Sequence, residues 1–173
     1  MWGLTHYGDP EDFAWDVASG VSAGGINTGL VSVWPPGSEK EMSEWMADNY
    51  ASINSPDIWS LNPGTPYDLF FKETSLLDDS AAIETITRFI SEREAIERRF
   101  VINAMDVNLG EYCPMTQNEI TYDDLPKSML SSGSIPTVFP PLRMGNHLFM
   151  DGGTGWNINL DSAVQQCLEI VEN

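Results

Sequence analysis

The stretch WDVASGVSAGGINTGLVSVWPP, residues 15–36, changes its period halfway along. Residues 15–21 are short, partly β-branched and bounded in the manner of a buried strand. From Ala23 to Trp34 the pattern becomes helical, with Ile26, Leu30 and Val33 on one face, and Pro35-Pro36 stops it. Ser22 therefore falls at a strand-to-helix turn, inside the spacing Gly20-x-Ser22-x-Gly24. Such a turn forces an unusual serine backbone and needs small neighbours, which Gly20, Ala23, Gly24 and Gly25 supply. A helix starting at Ala23 would aim free N–H groups and its positive dipole end at Ser22, favouring negative charge on or beside the hydroxyl. The same residues also fit a packing turn that carries no chemistry.

Working outward, Met42, Trp45, Met46 and Ile53 recur at helical spacing after a Ser38–Glu41 capping-box pattern, and a stripe of this kind predicts core. A third helix is expected from Asp79 to Arg93, with Ile83, Ile86, Phe89 and Ile90 inward and a Pro-, Asn- and Ser-rich loop before it. RFVINAMDV (99–107) reads as an interior strand, and Asn108-Leu109-Gly110 as the turn into a return strand at 111–113. Asp124 and Pro126 open a helix that ends near Gly133. Residues 142–153 predict a hairpin turning at Gly145-Asn146, and a last helix capped near Asp161 carries Val164, Cys167, Leu168 and Val171. Strands alternating with helices argue for α/β layers in a single domain spanning 1–173.

Twenty-six acidic residues against eight basic ones give a net charge of −18, which opposes nucleic acid because phosphate contacts need Lys and Arg. An anionic membrane surface would repel the chain too, leaving apolar contact or a locally basic face for any lipid. Arg93, Arg98 and Arg99 are the one such cluster in sequence, read as a solvated helix end. Cys113 and Cys167 form no CxxC or metal pattern and are expected to be reduced structural thiols. The first residues lack the form of a secretion signal, and no stretch reaches the roughly 18 apolar residues of a membrane span. A soluble protein of the cytoplasm is the expectation.

A serine hydroxyl needs a base within about 2.6–3.2 Å to act as a nucleophile. His6 lies in a start read as mobile, and His147 beside the hairpin turn. With Asp106 and His147, Ser22 would follow the chain order Ser, Asp, His of an α/β-hydrolase triad. The other candidate is Asp151, at the end of the apolar run Leu148-Phe149-Met150 and followed by Gly152-Gly153, which permits close backbone approach. It could serve as general base, or simply occupy an Asp-Gly turn.

GVSAG (20–24), SSGSIPTVFPP (131–141) and DGGTGWNIN (151–159), in that order, together with FVINAMDVNLGEY (100–112), resemble the patatin-like phospholipases over most of the chain. The resemblance implies a layered α/β/α sheet and a catalytic dyad of Ser22 and Asp151 without histidine. Gly20, Ala23, Gly24, Gly152 and Gly153 then take the supporting motif positions. It also implies hydrolysis of lipid acyl esters through an acyl-enzyme in lipid breakdown, with transient membrane-surface contact and no cofactor or metal. The family's glycine-rich oxyanion loop and the strand before it have no counterpart ahead of Ser22, since Gly3, Gly8 and Gly20 are not clustered. An N-terminally shortened member with an uncovered sheet edge and weak or absent turnover is expected. A competing expectation is a non-catalytic lipid-binding or interaction module, with some of the six tryptophans and eight methionines lining an apolar groove.

Overall fold

The computed structural model describes residues 1–62 and 75–172. The part of the predicted Pro-, Asn- and Ser-rich loop at 63–74 lies outside the described residues. The strands are β1 (Val17–Val21), β2 (Ser60–Leu61), β3 (Leu77–Asp78), β4 (Arg99–Asp106), β5 (Glu111–Thr116), β6 (Leu142–Met144) and β7 (His147–Asp151). The described helices are α1 (Trp2–Tyr7), α2 (Ala23–Ser32), α3 (Glu39–Ser52), α4 (Ser80–Ile90), α5 (Leu125–Ser132) and α6 (Leu160–Val171).

The mixed α/β architecture is organised by β4, which is buried along most of its length. One of its edges carries antiparallel β5 over Val101–Asp106. Because that edge is occupied, both other partners of β4 must share the opposite one. There β1 runs parallel from Val17↔Arg99 to Val21↔Asn103, and antiparallel β7 takes over at Ala104↔Asp151. Two strands thus meet end to end along one side of β4. Among the described residues β1 has no other strand partner.

Strand alternation sorts β4 between two faces. Phe100, Ile102 and Ala104 enter the main core with Leu30 of α2 and Val33 just after it, Met42 and Met46 of α3, Ile86, Phe89 and Ile90 of α4, and Leu125 and Met129 of α5. Arg99 and Asn103 turn to the other face, where Arg99 meets Gln166 of α6 and Asn103 meets Asn159, the N-cap of α6. Gln166 is the one buried residue of α6. The predicted apolar stripe of that helix points to water, Val164 being 55% and Val171 83% exposed.

Four local expectations are corrected. The Arg93, Arg98 and Arg99 cluster is not a solvated helix end: α4 stops at Ile90, and the Arg98 side chain is fully buried against Glu39 at 2.9 Å. Arg99 pairs with Glu169, and Arg93 lies 3.5 Å from the centre of the Trp34 ring. The Ser38–Glu41 capping box does not form, because the Ser38 hydroxyl donates to the Pro35 carbonyl instead. His6 sits in a helix, stacked on Trp2, and Cys167 is exposed rather than structural.

Candidate active site

Ser22 follows β1 and immediately precedes α2, with its backbone at φ 58° and ψ −128°. This conformation is costly for a residue with a Cβ and persists only where its surroundings hold it. Part of that hold comes from Ser132, at the end of α5 and fully buried. Its hydroxyl accepts the Ser22 N–H at 2.9 Å and donates to the Asn103 carbonyl at 2.6 Å, fastening the turn to β4. The Ser22 carbonyl accepts the N–H groups of Gly25 and Ile26, which opens α2.

The glycines divide by purpose. A Cβ on Gly20 would lie 2.1 Å from the Gly24 carbonyl oxygen, so strand and helix can approach only without one. Gly152 is tied in the same way to the Asn103 carbonyl, at 2.4 Å. A Cβ on Gly24 would meet nothing within 4 Å, so packing does not require glycine there.

Val21 pairs with Asn103 and Asp151 with Ala104, the next residue of β4, so the end of β1 faces the end of β7. The Ser22 hydroxyl donates to Oδ2 of Asp151 at 2.6 Å across this junction. Asp151 is itself fixed: Oδ1 accepts the Gly153 N–H at 2.7 Å, its N–H donates to the Ser134 carbonyl, and its carbonyl accepts the Thr154 hydroxyl. Asp151 is buried, and its carboxylate keeps one oxygen for the serine.

At the start of α2 the N–H groups of Ala23 and Gly24 have no partner among the described residues, as the first N–H groups of a helix do not. They and the helix dipole form a site for a developing negative charge next to Ser22. From Ala23 an apolar cavity of about 370 Å³ extends between α2, α3, α4 and α5, lined by Ile26, Leu30, Ile53, Ile86, Phe89 and Leu130 among others.

The alternative triad is not assembled. Asp106 and His147 do meet, at 2.5 Å between Oδ2 and Nδ1. His147, however, begins the strand that Asp151 ends, so four residues and about 13 Å of strand separate it from the Ser22 contact. Phe149 lies between them on the same strand face and stacks against the His147 ring. The His147 contact, with backbone N–H groups of Asn108 and Leu109, holds the Asp106 carboxyl below its ordinary range and closes the turn after β4.

Sequence reasoning missed the supports. Asn103 donates to the Gly20 carbonyl at 3.0 Å and accepts from Asn159 at 2.8 Å, tying β1, β4 and the start of α6 together. A lone Asn within the apolar run FVINAM was a visible signal of such a role, and the serines of SSGS lay inside a motif already singled out. Among the described residues no group of three or more His, Cys, Asp or Glu is arranged to hold a metal ion, and no helix is long and apolar enough to cross a membrane.

A family model described as patatin-like phospholipase matches residues 2–164. The chain belongs to the patatin-like phospholipase family. It is also 26% identical over 154 residues to the probable lipid hydrolase 463L of Invertebrate iridescent virus 6, covering 84% of this chain and 52% of the viral protein. The chain thus spans about half the length of that relative. Membership in the patatin-like phospholipases supports lipid hydrolysis at the level of the family.

Proposed function

We propose that this chain carries a patatin-type lipid acyl hydrolase site in which Ser22 and Asp151 act as a two-residue catalytic unit. The 2.6 Å hydrogen bond from the Ser22 hydroxyl to Asp151, at a strained turn one residue before the apolar cavity that begins at Ala23, is the observation that carries the reading. Asp151 Oδ2 takes the proton as Ser22 Oγ attacks the ester carbonyl carbon, and the carbonyl oxygen becomes an oxyanion beside the Ala23 and Gly24 N–H groups. Collapse of this intermediate expels the alcohol, which leaves with the proton from Asp151, and the acyl group stays on Ser22. Water then attacks the acyl-enzyme, gives its proton to Asp151, and releases the fatty acid while Ser22 regains its hydrogen. The cavity that starts at Ala23 suits the acyl chain, since its wall is almost wholly apolar.

Hydrolysis of nitrophenyl esters and labelling by a fluorophosphonate test the reading together. Ser22→Ala should abolish both, and Asp151→Asn should slow both by a factor of about 10²–10⁴, the usual contribution of a general base. His147→Ala should leave both unchanged. Labelling that persists in Ser22→Ala, or that depends on His147, would overturn the dyad. Lipid binding by a wild-type chain that never labels would favour the non-catalytic module instead.

A further inference from the structure

The scarce cations of this acidic chain are mostly committed to partners: Arg98 to Glu39, Arg99 to Glu169, Arg93 to the Trp34 ring and Arg88 to the Phe89 ring. Lys127, in the first turn of α5, and Arg143, on β6, are different. Both are exposed, and neither has an ion-pair or hydrogen-bond partner among the described residues. They line one groove of about 410 Å³ between β5, the β6–β7 hairpin and α5, well within the size range of small-ligand sites.

The floor of this groove is apolar, formed by Met115, Ile120, Met144 and Phe149. Two carboxylates also line it, yet both are engaged locally. Glu119 accepts the N–H and hydroxyl of Thr116, and Asp124 accepts the Thr121 hydroxyl. Neither carboxylate forms an ion pair with Lys127 or Arg143, so both cationic side chains keep their donors for a head group. His147 also stands at the rim, its ring fixed by Asp106.

We propose that this groove binds a single-chain amphiphile with an anionic head, the head held by Lys127 and Arg143 and the tail laid on the Met115, Ile120, Met144 and Phe149 floor. Arg143 offers a guanidinium fork suited to carboxylate or phosphate, and Lys127 a compact second charge. A bare anion is excluded on physical grounds. The overall charge of −18 repels it at long range, and two exposed cations alone recover little in water. The apolar floor supplies the remaining attraction, so head and tail must be joined. The proposal does not depend on Ser22 or on hydrolysis.

Cys113 lines the groove and Cys167 lies on α6, which allows a test by mass-resolved maleimide alkylation of both thiols in one sample. Decanoate and decyl phosphate, each below its micelle threshold, are compared with decyltrimethylammonium and with inorganic phosphate. An anionic amphiphile at ten times its dissociation constant should slow Cys113 alkylation about tenfold and leave Cys167 unchanged. Whichever anionic head protects identifies the head group. Replacing Lys127→Gln and Arg143→Gln together should weaken that protection at least about tenfold in ligand concentration, with an unaltered Cys113 rate in the ligand-free double variant reporting an intact groove. Equal protection by the decyl cation, absence of protection by both anionic amphiphiles, protection by phosphate alone, or full protection in the double variant would overturn the proposal.

Discussion

Replacing Ser132→Ala removes one oxygen atom that the active-site turn uses twice. The Ser22 N–H loses its acceptor at 2.9 Å, and the Asn103 carbonyl loses a donor at 2.6 Å. Leaving a buried donor without a partner costs about 1–3 kcal/mol, and the positive φ of Ser22 stores strain of about the same size. The two effects oppose each other once the hydroxyl is gone: if the turn relaxes to an ordinary conformation, released strain offsets much of the lost bonding. Relaxation should win, because the orphaned N–H can then rotate towards water. The net cost should be about 1–2 kcal/mol, which for a chain of this size lowers Tm by roughly 3–6 °C. Function should suffer more than stability. Relaxation carries the Ser22 hydroxyl away from Asp151, and a displacement of about 1 Å at a reacting atom can cost a factor of about 100. The assay is the second-order rate of fluorophosphonate labelling, measured well below the Tm of the variant determined by thermal melting. A folded Ser132→Ala protein that labels at the wild-type rate would refute the argument that this hydroxyl holds the nucleophile in place.

Other expectations concern packing and charge. Gly20→Ala should prevent β1 and α2 from closing and lower stability by about 3 kcal/mol or more, whereas Gly24→Ala should melt at or above the wild-type temperature, alanine favouring helix by about 1 kcal/mol; thermal melts of the two variants check the contrast. Arg98→Ala leaves the buried carboxylate of Glu39 uncompensated and should cost about 3–5 kcal/mol by urea titration, even though the cluster looks like a surface feature in sequence. The folded Asp106 carboxyl is held below its ordinary value, so its contribution to stability is present above about pH 4 and is lost as pH falls through the lowered value. His147→Ala removes the chief cause of that shift, and urea midpoints measured down the acid limb should then fall less steeply with pH.

Much of the architecture was legible locally. The switch of period at Ser22, the interior strand at 99–106, the hairpin at 142–151 and the helix from Asp124 to Gly133 are short-range patterns, and short-range sterics and hydrophobic spacing produce them. Where expectation and structure part, a distant partner intervened. Arg98 left the surface because Glu39 and Trp15 surround it, and the Ser38 hydroxyl found the Pro35 carbonyl before it could cap α3. The apolar residues of α6 look like a core stripe by spacing, yet the side chains of α6 that bond to the sheet are Gln166 and Glu169, both on Arg99.

By itself the sequence determined that a serine would stand at a tight strand-to-helix turn and that an aspartate would end a later apolar strand, because glycine placement and residue periodicity act over a few residues. It could not determine that these two would touch. That was decided by β4, whose single free edge receives β1 up to Asn103 and β7 from Ala104 onward, so that registers set by separate hydrogen-bond ladders bring groups 129 positions apart to 2.6 Å. The serine and asparagines that brace the turn became recognisable only there, since a hydroxyl or amide acquires such a role from whichever backbone group the folded chain leaves within reach.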